Sequence, residues 1–149
     1  GRRTAEVLLA EVGVDVARFP TTRHLASWAG MAPGNNESAG KRYSGKMRKG
    51  DNWLRVTLVE AAHAAGRKKD SYLSTQYHRF AARLGKKRAA VAVGHSILVI
   101  VYYLLKNNVP YRDLGSDYFD ERERGAVQRR LVRRLEKLGY KVVLEPTTA

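Results

Sequence analysis

A long apolar run near the middle of the chain constrains the fold more than any other feature. The segment AAVAVGHSILVIVYYLL, residues 89–105, approaches the length of a membrane span. However, Gly94, His95 and Ser96 interrupt it at its centre, and basic residues flank both of its ends. Polar interruptions are costly in a bilayer and ordinary in a protein interior. The run therefore predicts a central helix, residues 86–106, buried against other helices, with no membrane partner.

Helical spacing of apolar residues recurs in four segments before this run and in one after it. The first four segments are residues 2–13, 21–30, 52–66 and 70–85, and each ends at a glycine, as helices commonly do. Trp28, Trp53, Tyr72, Tyr77 and Phe80 are expected to pack in the core rather than to act as base-stacking platforms. The pattern predicts an all-α fold: a compact bundle of about five helices over residues 1–106, with a basic glycine-containing loop.

The composition and spacing of residues 107–149 predict an extended arm and a basic C-terminal helix. The helix is expected over residues 121–138, followed by a short strand at residues 141–144. The acidic residues of the arm are expected to be surface charge. The helix places Val127, Leu131, Leu135 and Leu138 on one side and Arg129, Arg130, Arg133 and Arg134 around the rest. The arginines could follow a nucleic-acid backbone, or coat a helix that pairs with a partner through its leucines.

The net charge of the chain limits the classes of partner that it is expected to bind. Its 28 Lys and Arg against 14 Asp and Glu give a formal net charge of +14, which is typical of proteins that bind DNA, RNA or anionic membranes. There is no cysteine and the four histidines are scattered, so disulfides and thiolate zinc sites are excluded and no metal site is expected in this chain. The chain starts at Gly1 rather than at a methionine, so we expect a fragment of a longer polypeptide.

The highest local density of positive charge lies in a glycine-rich segment, residues 33–50. Five cationic residues fall in its last ten positions: Lys41, Arg42, Lys46, Arg48 and Lys49. Gly40, Gly45 and Gly50 would let the backbone approach a nucleic acid closely. An irregular loop or loose hairpin that contacts phosphates is one interpretation. A solvated loop whose charge aids solubility is the other.

A serine in this basic segment, Ser38, has two interpretations. Its hydroxyl could attack phosphorus if a base removes the proton and cations stabilise the transferring phosphate. A serine that follows Glu37 in a turn is more commonly a cap or a turn hydrogen-bond partner.

The start of the chain also has two interpretations. Gly1 and the first helix could be the second half of a helix-hairpin-helix phosphate clamp, or an ordinary terminal helix.

Two long segments of the chain read FPTTRHLASWAGMAPGNNESAGKRYSGKMRKGDNWLRVTLVEAAHAA and YLSTQYHRFAARLGKKRAAVAVGHSILVIVYYLL. Together they resemble the C-terminal transposase domain of the DEDD-type insertion-sequence transposases, the bridge-RNA-guided DNA recombinases. The resemblance extends from Arg2 to about Pro146. It includes the YRDLGSDYFDERE arm and the RRLVRRLEKLGYKVVLEP end.

The resemblance implies a division of labour between two domains. In that family an N-terminal RuvC-like domain, absent from this chain, carries four metal-binding carboxylates and is expected to hold Mg²⁺. The C-terminal domain supplies a serine nucleophile. Matched onto this sequence the nucleophile is Ser38, although Ala39-Gly40 rather than a single glycine follows it; Ser44, which precedes Gly45, is the rival.

The resemblance also implies partners and binding residues. DNA, a guide (bridge) RNA and further copies of the protein are the expected partners, in the bacterial cytoplasm. The expected nucleic-acid-binding residues are Lys41, Arg42, Lys46, Arg48, Lys49 and Arg55. A chain without the RuvC-like domain is expected to bind nucleic acid and to recombine nothing. The alternatives are a non-catalytic module that clamps phosphates through its basic loop, and a structural dimerisation domain that uses the leucines of the last helix.

Overall fold

A computed structural model describes residues 1–32, 36–44 and 52–147 of the chain. The described elements, in chain order, are α1 (Arg2–Val12), α2 (Thr22–Trp28), β1 (Asn36–Ser38), β2 (Lys41–Ser44), α3 (Asn52–Arg67), α4 (Tyr72–Leu84), α5 (Lys86–Asn107), α6 (Tyr118–Arg122) and α7 (Arg124–Lys137). The predicted all-α architecture with five bundle helices is confirmed. A two-stranded antiparallel hairpin, β1–β2, accompanies the helices.

The core forms where α3, α4 and α5 pack against one another. One cluster of buried side chains joins α1, α2, α3 and α5, with Leu25, Leu54, Leu58 and Leu98 almost fully buried. Burying a leucine side chain contributes about 1.5–3 kcal/mol, so these four leucines together contribute about 6–12 kcal/mol of hydrophobic stabilisation. A second cluster joins α3, α4 and α5 around Tyr77.

The long apolar helix α5 is central but is buried on one side only. It packs against α2, α3 and α4, and its buried face includes Ala89, Ala90, Val93 and Gly94. Among the described residues it is the one helix long and apolar enough to cross a membrane by length and composition. The prediction of a central helix buried against other helices is confirmed for the face that packs on α2, α3 and α4, while much of the rest of the helix is half-buried.

A side-chain cap explains where α4 begins, whereas the N-cap of α2 makes no such bond. Ser71 is the N-cap of α4, and its Oγ accepts a hydrogen bond of 3.3 Å from the Ser74 backbone N–H. Thr21 is the N-cap of α2 but makes no side-chain cap hydrogen bond; its Oγ1 lies 2.8 Å from Nδ1 of His24.

One predicted glycine stop was wrong. α3 continues through Gly66 to Arg67. A β-carbon at Gly66 would lie 2.8 Å from Cδ1 of the buried Tyr77 ring. The glycine therefore makes room for α4 against α3 and does not end the helix.

The C-terminal segment differs from its prediction in two places. The single helix expected over residues 121–138 is two helices, α6 and α7, because Glu123 leaves helical geometry with φ −113° and ψ 26°. No strand forms at residues 141–144. Strand pairing needs a partner, and among the described residues β1 and β2 pair only with each other.

Candidate nucleic-acid interface

Both candidate serines lie on the β1–β2 hairpin. Ser38 is the last residue of β1 and pairs with Lys41, the first residue of β2. The two-residue loop between them, Ala39 and Gly40, is exposed, and both residues have positive φ, 50° and 73°. Positive φ at both positions is typical of the tight turns that best fit strand twist. The predicted hairpin is confirmed over these residues, and it places Ser38 directly before its turn.

The turn is strained at one position. Gly40 adopts a positive φ without penalty and has open space around it, whereas a left-handed conformation costs a residue such as Ala39 about 1–2 kcal/mol. Non-glycine residues held in this region concentrate at functional sites. The alanine that follows Ser38 therefore does not prevent a tight turn, although the sequence departs there from the direct Ser-Gly pattern.

The rival serine occupies the opposite end of the hairpin. Ser44 pairs with Asn36, whereas the next pair is Glu37 with Arg42, so Tyr43 is an extra residue at a bulge. The two serines thus differ in backbone setting. Ser38 adjoins the turn, while Ser44 lies at the base of the hairpin beyond the bulge.

The predicted phosphate-binding cations divide into three groups. Lys41 is exposed at the turn, and Arg42 follows it on β2, opposite Glu37. Arg55 is half-buried in the first turn of α3. The remaining three, Lys46, Arg48 and Lys49, lie outside the described residues. The structure therefore brings two of the six predicted cations together with Ser38 on one hairpin.

An exposed tryptophan lies at the start of α3, close in sequence to the basic segment. Trp53 is 56% exposed, so the expectation that it packs in the core was wrong. The buried face of α3 runs through Leu54, Leu58 and Ala62, and the position before Leu54 is rotated about 100° away from that face. Exposed aromatic rings can stack on nucleic-acid bases.

Trp28 is also partly exposed, at 38%, and is the second of the five aromatic residues to depart from the core prediction. Its ring centroid is 5.4 Å from that of Phe19, and the guanidinium of Arg18 lies 5.2 Å from it. Tyr77 is buried as predicted, and Tyr72 and Phe80 are half-buried.

The acidic residues of the C-terminal arm have structural partners, which the prediction of simple surface charge missed. Oδ1 of Asp113 accepts hydrogen bonds of 2.9 Å from the backbone N–H groups of Tyr72 and Gly115. The Tyr72 N–H bond is the main cause that lowers the pKa of Asp113 below its ordinary value. Burial raises the pKa of Tyr72 above its ordinary value. The arm is thus attached to the N-terminal end of α4.

The polar residues inside α5 are partly satisfied. Oγ of Ser96 donates a hydrogen bond of 3.2 Å to the Ala92 carbonyl oxygen. The half-buried ring of His95 has a lowered pKa because burial disfavours its charged form.

The arginines of the last helix lie together on one face of α7. Arg129, Arg130, Arg133 and Arg134 line a shallow groove with Ala126. Lys137 lines the same groove, and sequence reasoning missed it. Lys137 lies three residues after Arg134 and four after Arg133, and this helical spacing could have predicted its place on the same face. Across the ranges that the structure covers, no group of three or more His, Asp or Glu residues could hold a metal ion.

Comparison with known proteins places this architecture in a family. A family model described as Transposase IS116/IS110/IS902 family matches residues 1–78. The insertion element IS110 uncharacterized 43.6 kDa protein of Streptomyces coelicolor is 35% identical over 115 residues, which cover 74% of this chain and 27% of that protein. The chain thus spans about a quarter of the length of this relative. No solved structure matches the chain. Since the family model covers more than half of its residues, the chain belongs to the IS116/IS110/IS902 transposase family.

Proposed function

We propose that the chain is the DNA-binding and strand-exchange domain of an insertion-sequence transposase, and that Ser38 attacks a DNA phosphodiester. One observation carries the proposal. The hairpin sets Ser38 beside a tight, exposed turn and opposite Lys41, in a chain of the transposase family with a net charge of +14. A nucleophile at a hairpin tip reaches an extended substrate without entering a cleft. Nearby positive charge favours the approach of the phosphate backbone.

The proposed step is a transesterification. The Ser38 oxygen forms a new bond to phosphorus, and the bond between phosphorus and one sugar oxygen breaks. The serine proton ends on the departing sugar oxygen, which leaves as a hydroxyl, and the DNA strand remains attached through a phosphoserine ester. One phosphate ester replaces another, so no external energy source is needed. The reverse attack by a sugar hydroxyl from a second strand then joins the strands and frees the serine.

The cations of the basic segment would stabilise the charge on the non-bridging phosphate oxygens as Ser38 attacks. Lys41 and Arg42 follow the turn directly, and Lys46, Arg48, Lys49 and Arg55 follow in sequence. Electrostatic stabilisation and positioning dominate phosphoryl transfer, because little other covalent chemistry is left for the protein to perform. Removing one such contact from a preorganised site commonly lowers the rate about 10²–10³-fold.

The other components of the reaction would come from outside this chain. A RuvC-like domain of the complete transposase would hold Mg²⁺, which polarises phosphate oxygens when bound. We propose that a guide RNA selects the target and that several copies of the protein bring the DNA strands together in the bacterial cytoplasm.

Trapping the covalent intermediate tests the proposal. The complete transposase that contains this chain is incubated with labelled DNA and denatured, and the protein–DNA adduct is measured on a gel. Ser38→Ala is expected to retain DNA binding and lose the adduct, and Ser44→Ala is the matched control that should retain both. Mass spectrometry of the nuclease-treated adduct should find the modification on the peptide that contains Ser38.

The same experiment distinguishes the alternatives. Loss of the adduct in Ser44→Ala alone would assign the reaction to Ser44. An adduct that survives both substitutions, or no adduct with wild-type protein that binds DNA, would favour a non-catalytic module in which the basic loop only clamps phosphates.

A further inference from the structure

The last helix presents a one-sided cationic surface that the hairpin chemistry does not use. Five cations line its groove: Arg129, Arg130, Arg133, Arg134 and Lys137. Together with Ala126 they are spaced three and four residues apart, which puts them on one face of a helix. We call these five residues the arginine face.

The carboxylates just before α7 pair with cations outside this face. Asp120 and Glu123 both pair with Arg79 of α4, at 3.4 and 3.3 Å, and Glu121 lies 3.9 Å from Arg124. Among the described residues no member of the arginine face takes part in an ion pair. The carboxylates before α7 thus compensate cations at its base, while the cations along the helix remain exposed. Such a cluster repels itself, and a polyanion removes that cost.

The arginine face is held in place at its N-terminal end. The ring of Phe119 in α6 stacks on Tyr72 of α4, with centroids 5.0 Å apart and planes inclined by 17°. The guanidinium of Arg79 lies 5.0 Å from the Phe119 centroid, in a cation–π arrangement. Glu123 lies between α6 and α7, as the C-cap of the first and the N-cap of the second, and it forms one of the two ion pairs to Arg79. α7 is thus attached to α4 through α6, so its cations keep a defined direction from the core.

We propose that the arginine face binds the phosphate backbone of a nucleic acid, as a contact surface separate from the hairpin. Residues 126–137 extend about 16 Å at 1.5 Å per residue, which matches about five phosphates of one strand at 3.4 Å axial spacing. Four of the five cations are arginines, whose planar guanidinium binds phosphate oxygens through two parallel hydrogen bonds. A second copy of α7 packed on this face would add like charges, so the face favours an anionic partner.

An anionic membrane surface is the competing anionic partner. Leu131, Leu135 and Leu138 beside the arginine face are 52%, 43% and 68% exposed, and basic amphipathic helices can lie on lipid headgroups. Membership of a transposase family and the predominance of arginine over lysine favour nucleic acid. The experiment therefore includes both kinds of surface.

The test compares two variants of the full chain that lose the same charge. One carries Arg129→Gln, Arg130→Gln, Arg133→Gln and Arg134→Gln. The matched control carries Arg67→Gln, Lys69→Gln, Lys86→Gln and Lys87→Gln, which neutralise exposed cations at the ends of α3 and α5. Binding to duplex DNA, to a hairpin RNA and to phosphatidylserine vesicles is measured by fluorescence anisotropy or sedimentation over a series of salt concentrations.

Each phosphate contact contributes about 0.9 to the slope of log affinity against log salt for duplex DNA. The magnitude of this slope is expected to fall by about 2–3 in the α7 variant and by less than about 1 in the control. A loss with DNA, with RNA or with both supports the proposal and identifies the nucleic acid. Equal losses in the two variants, or an unchanged slope in the α7 variant, would overturn it. So would loss of vesicle binding with nucleic-acid binding intact.

A thermal melt of both variants controls for folding, and unchanged transitions are expected because α7 contributes no buried residue. This outcome is independent of the proposed chemistry of Ser38. An arginine face that binds nucleic acid would remain even if no serine adduct formed.

Discussion

Gly94 of α5 lies directly against the backbone of Leu58 in α3. A β-carbon at Gly94 would be 3.2 Å from the Leu58 carbonyl oxygen and 3.0 Å from the Met31 methyl group. Two core helices thus approach each other so closely that a methyl group at Gly94 would have to displace its neighbours by a few tenths of an ångström. Because the nearest neighbour on one side is backbone, it cannot rotate away as a side chain can.

Gly94→Ala should destabilise the chain by about 1–2 kcal/mol. Replacing glycine in a helix favours folding by up to about 1 kcal/mol, but forcing a methyl group into a packed core costs about 1–3 kcal/mol, and the backbone contact puts the cost at the upper end. Urea unfolding followed by circular dichroism measures the change. Gly125→Ala is the matched control, because its β-carbon would meet only the flexible Arg129 side chain at 3.5 Å. A Gly94→Ala chain as stable as wild type would contradict the close approach.

Stability should fall as the pH is lowered through the range in which histidines titrate, and His95 should carry part of the fall. Burial lowers the folded-state pKa of His95 below its ordinary value of 6.5. Between the folded and unfolded pKa values the unfolded chain binds more protons, so the stabilisation present above pH 6.5 is lost as the pH falls towards the folded value. Unfolding free energies of wild type and His95→Gln between pH 8 and 5 measure this. A pH dependence unchanged in His95→Gln would argue against it.

Asp113→Ala should release the arm from α4 without unfolding the core. The substitution removes the acceptor of the Tyr72 and Gly115 N–H bonds. Hydrogen exchange in residues 109–117 should become faster while α3 and α5 stay protected. Tyr111→Phe, which removes only the 3.4 Å hydroxyl contact to Oδ2 of Asp113, is the control and should have a smaller effect.

The attachment of the arm should also depend on pH in the acid range. The pKa of Asp113 is lowered in the folded chain, so the stabilisation it provides is present above its ordinary value of 3.8 and is lost as the pH falls through the lower folded value. Protection of residues 109–117 that persists in Asp113→Ala would show that other contacts hold the arm.

The 149-residue chain alone should bind DNA and exchange no strands in the presence of Mg²⁺. The net charge of +14 predicts binding that weakens steeply with salt. Its described residues have no carboxylate cluster for a metal ion. Gel-shift and strand-exchange assays on the same preparation provide the measurement, with the complete transposase as the positive control. Strand exchange by the chain alone would remove the need for a second domain.

The bundle was predictable because local signals agreed with tertiary packing. Apolar spacing and the stop at Gly85 set the limits of α4 correctly, and the polar interruption at His95 indicated a helix inside a protein. The signals failed where packing overrode them. Gly66 resembled a helix end because the sequence does not distinguish a glycine that ends a helix from one that makes room for a ring such as that of Tyr77.

The candidate site was predictable in composition and less so in geometry. Glycine content and local charge could place Ser38 in a basic loop, but the pairing of Ser38 with Lys41 depends on strand register, which short sequences specify weakly. The partners of Asp113 lie 41 residues away in sequence at Tyr72, and no local pattern predicts such a contact. The break at Glu123 was missed for a similar reason, because its partner Arg79 lies 44 residues away in sequence.

The methyl group of Ala39 opposes the backbone conformation of the turn next to Ser38. Ala39 holds a conformation that an alanine in a free peptide seldom visits, so its intrinsic preference opposes the hairpin, and cross-strand pairing must supply the difference. Glycine at this position would favour the turn, and a β-branched residue would disfavour it further. Position 39 is therefore a point at which the stability of the hairpin turn can be adjusted while Ser38 and Lys41 stay unchanged.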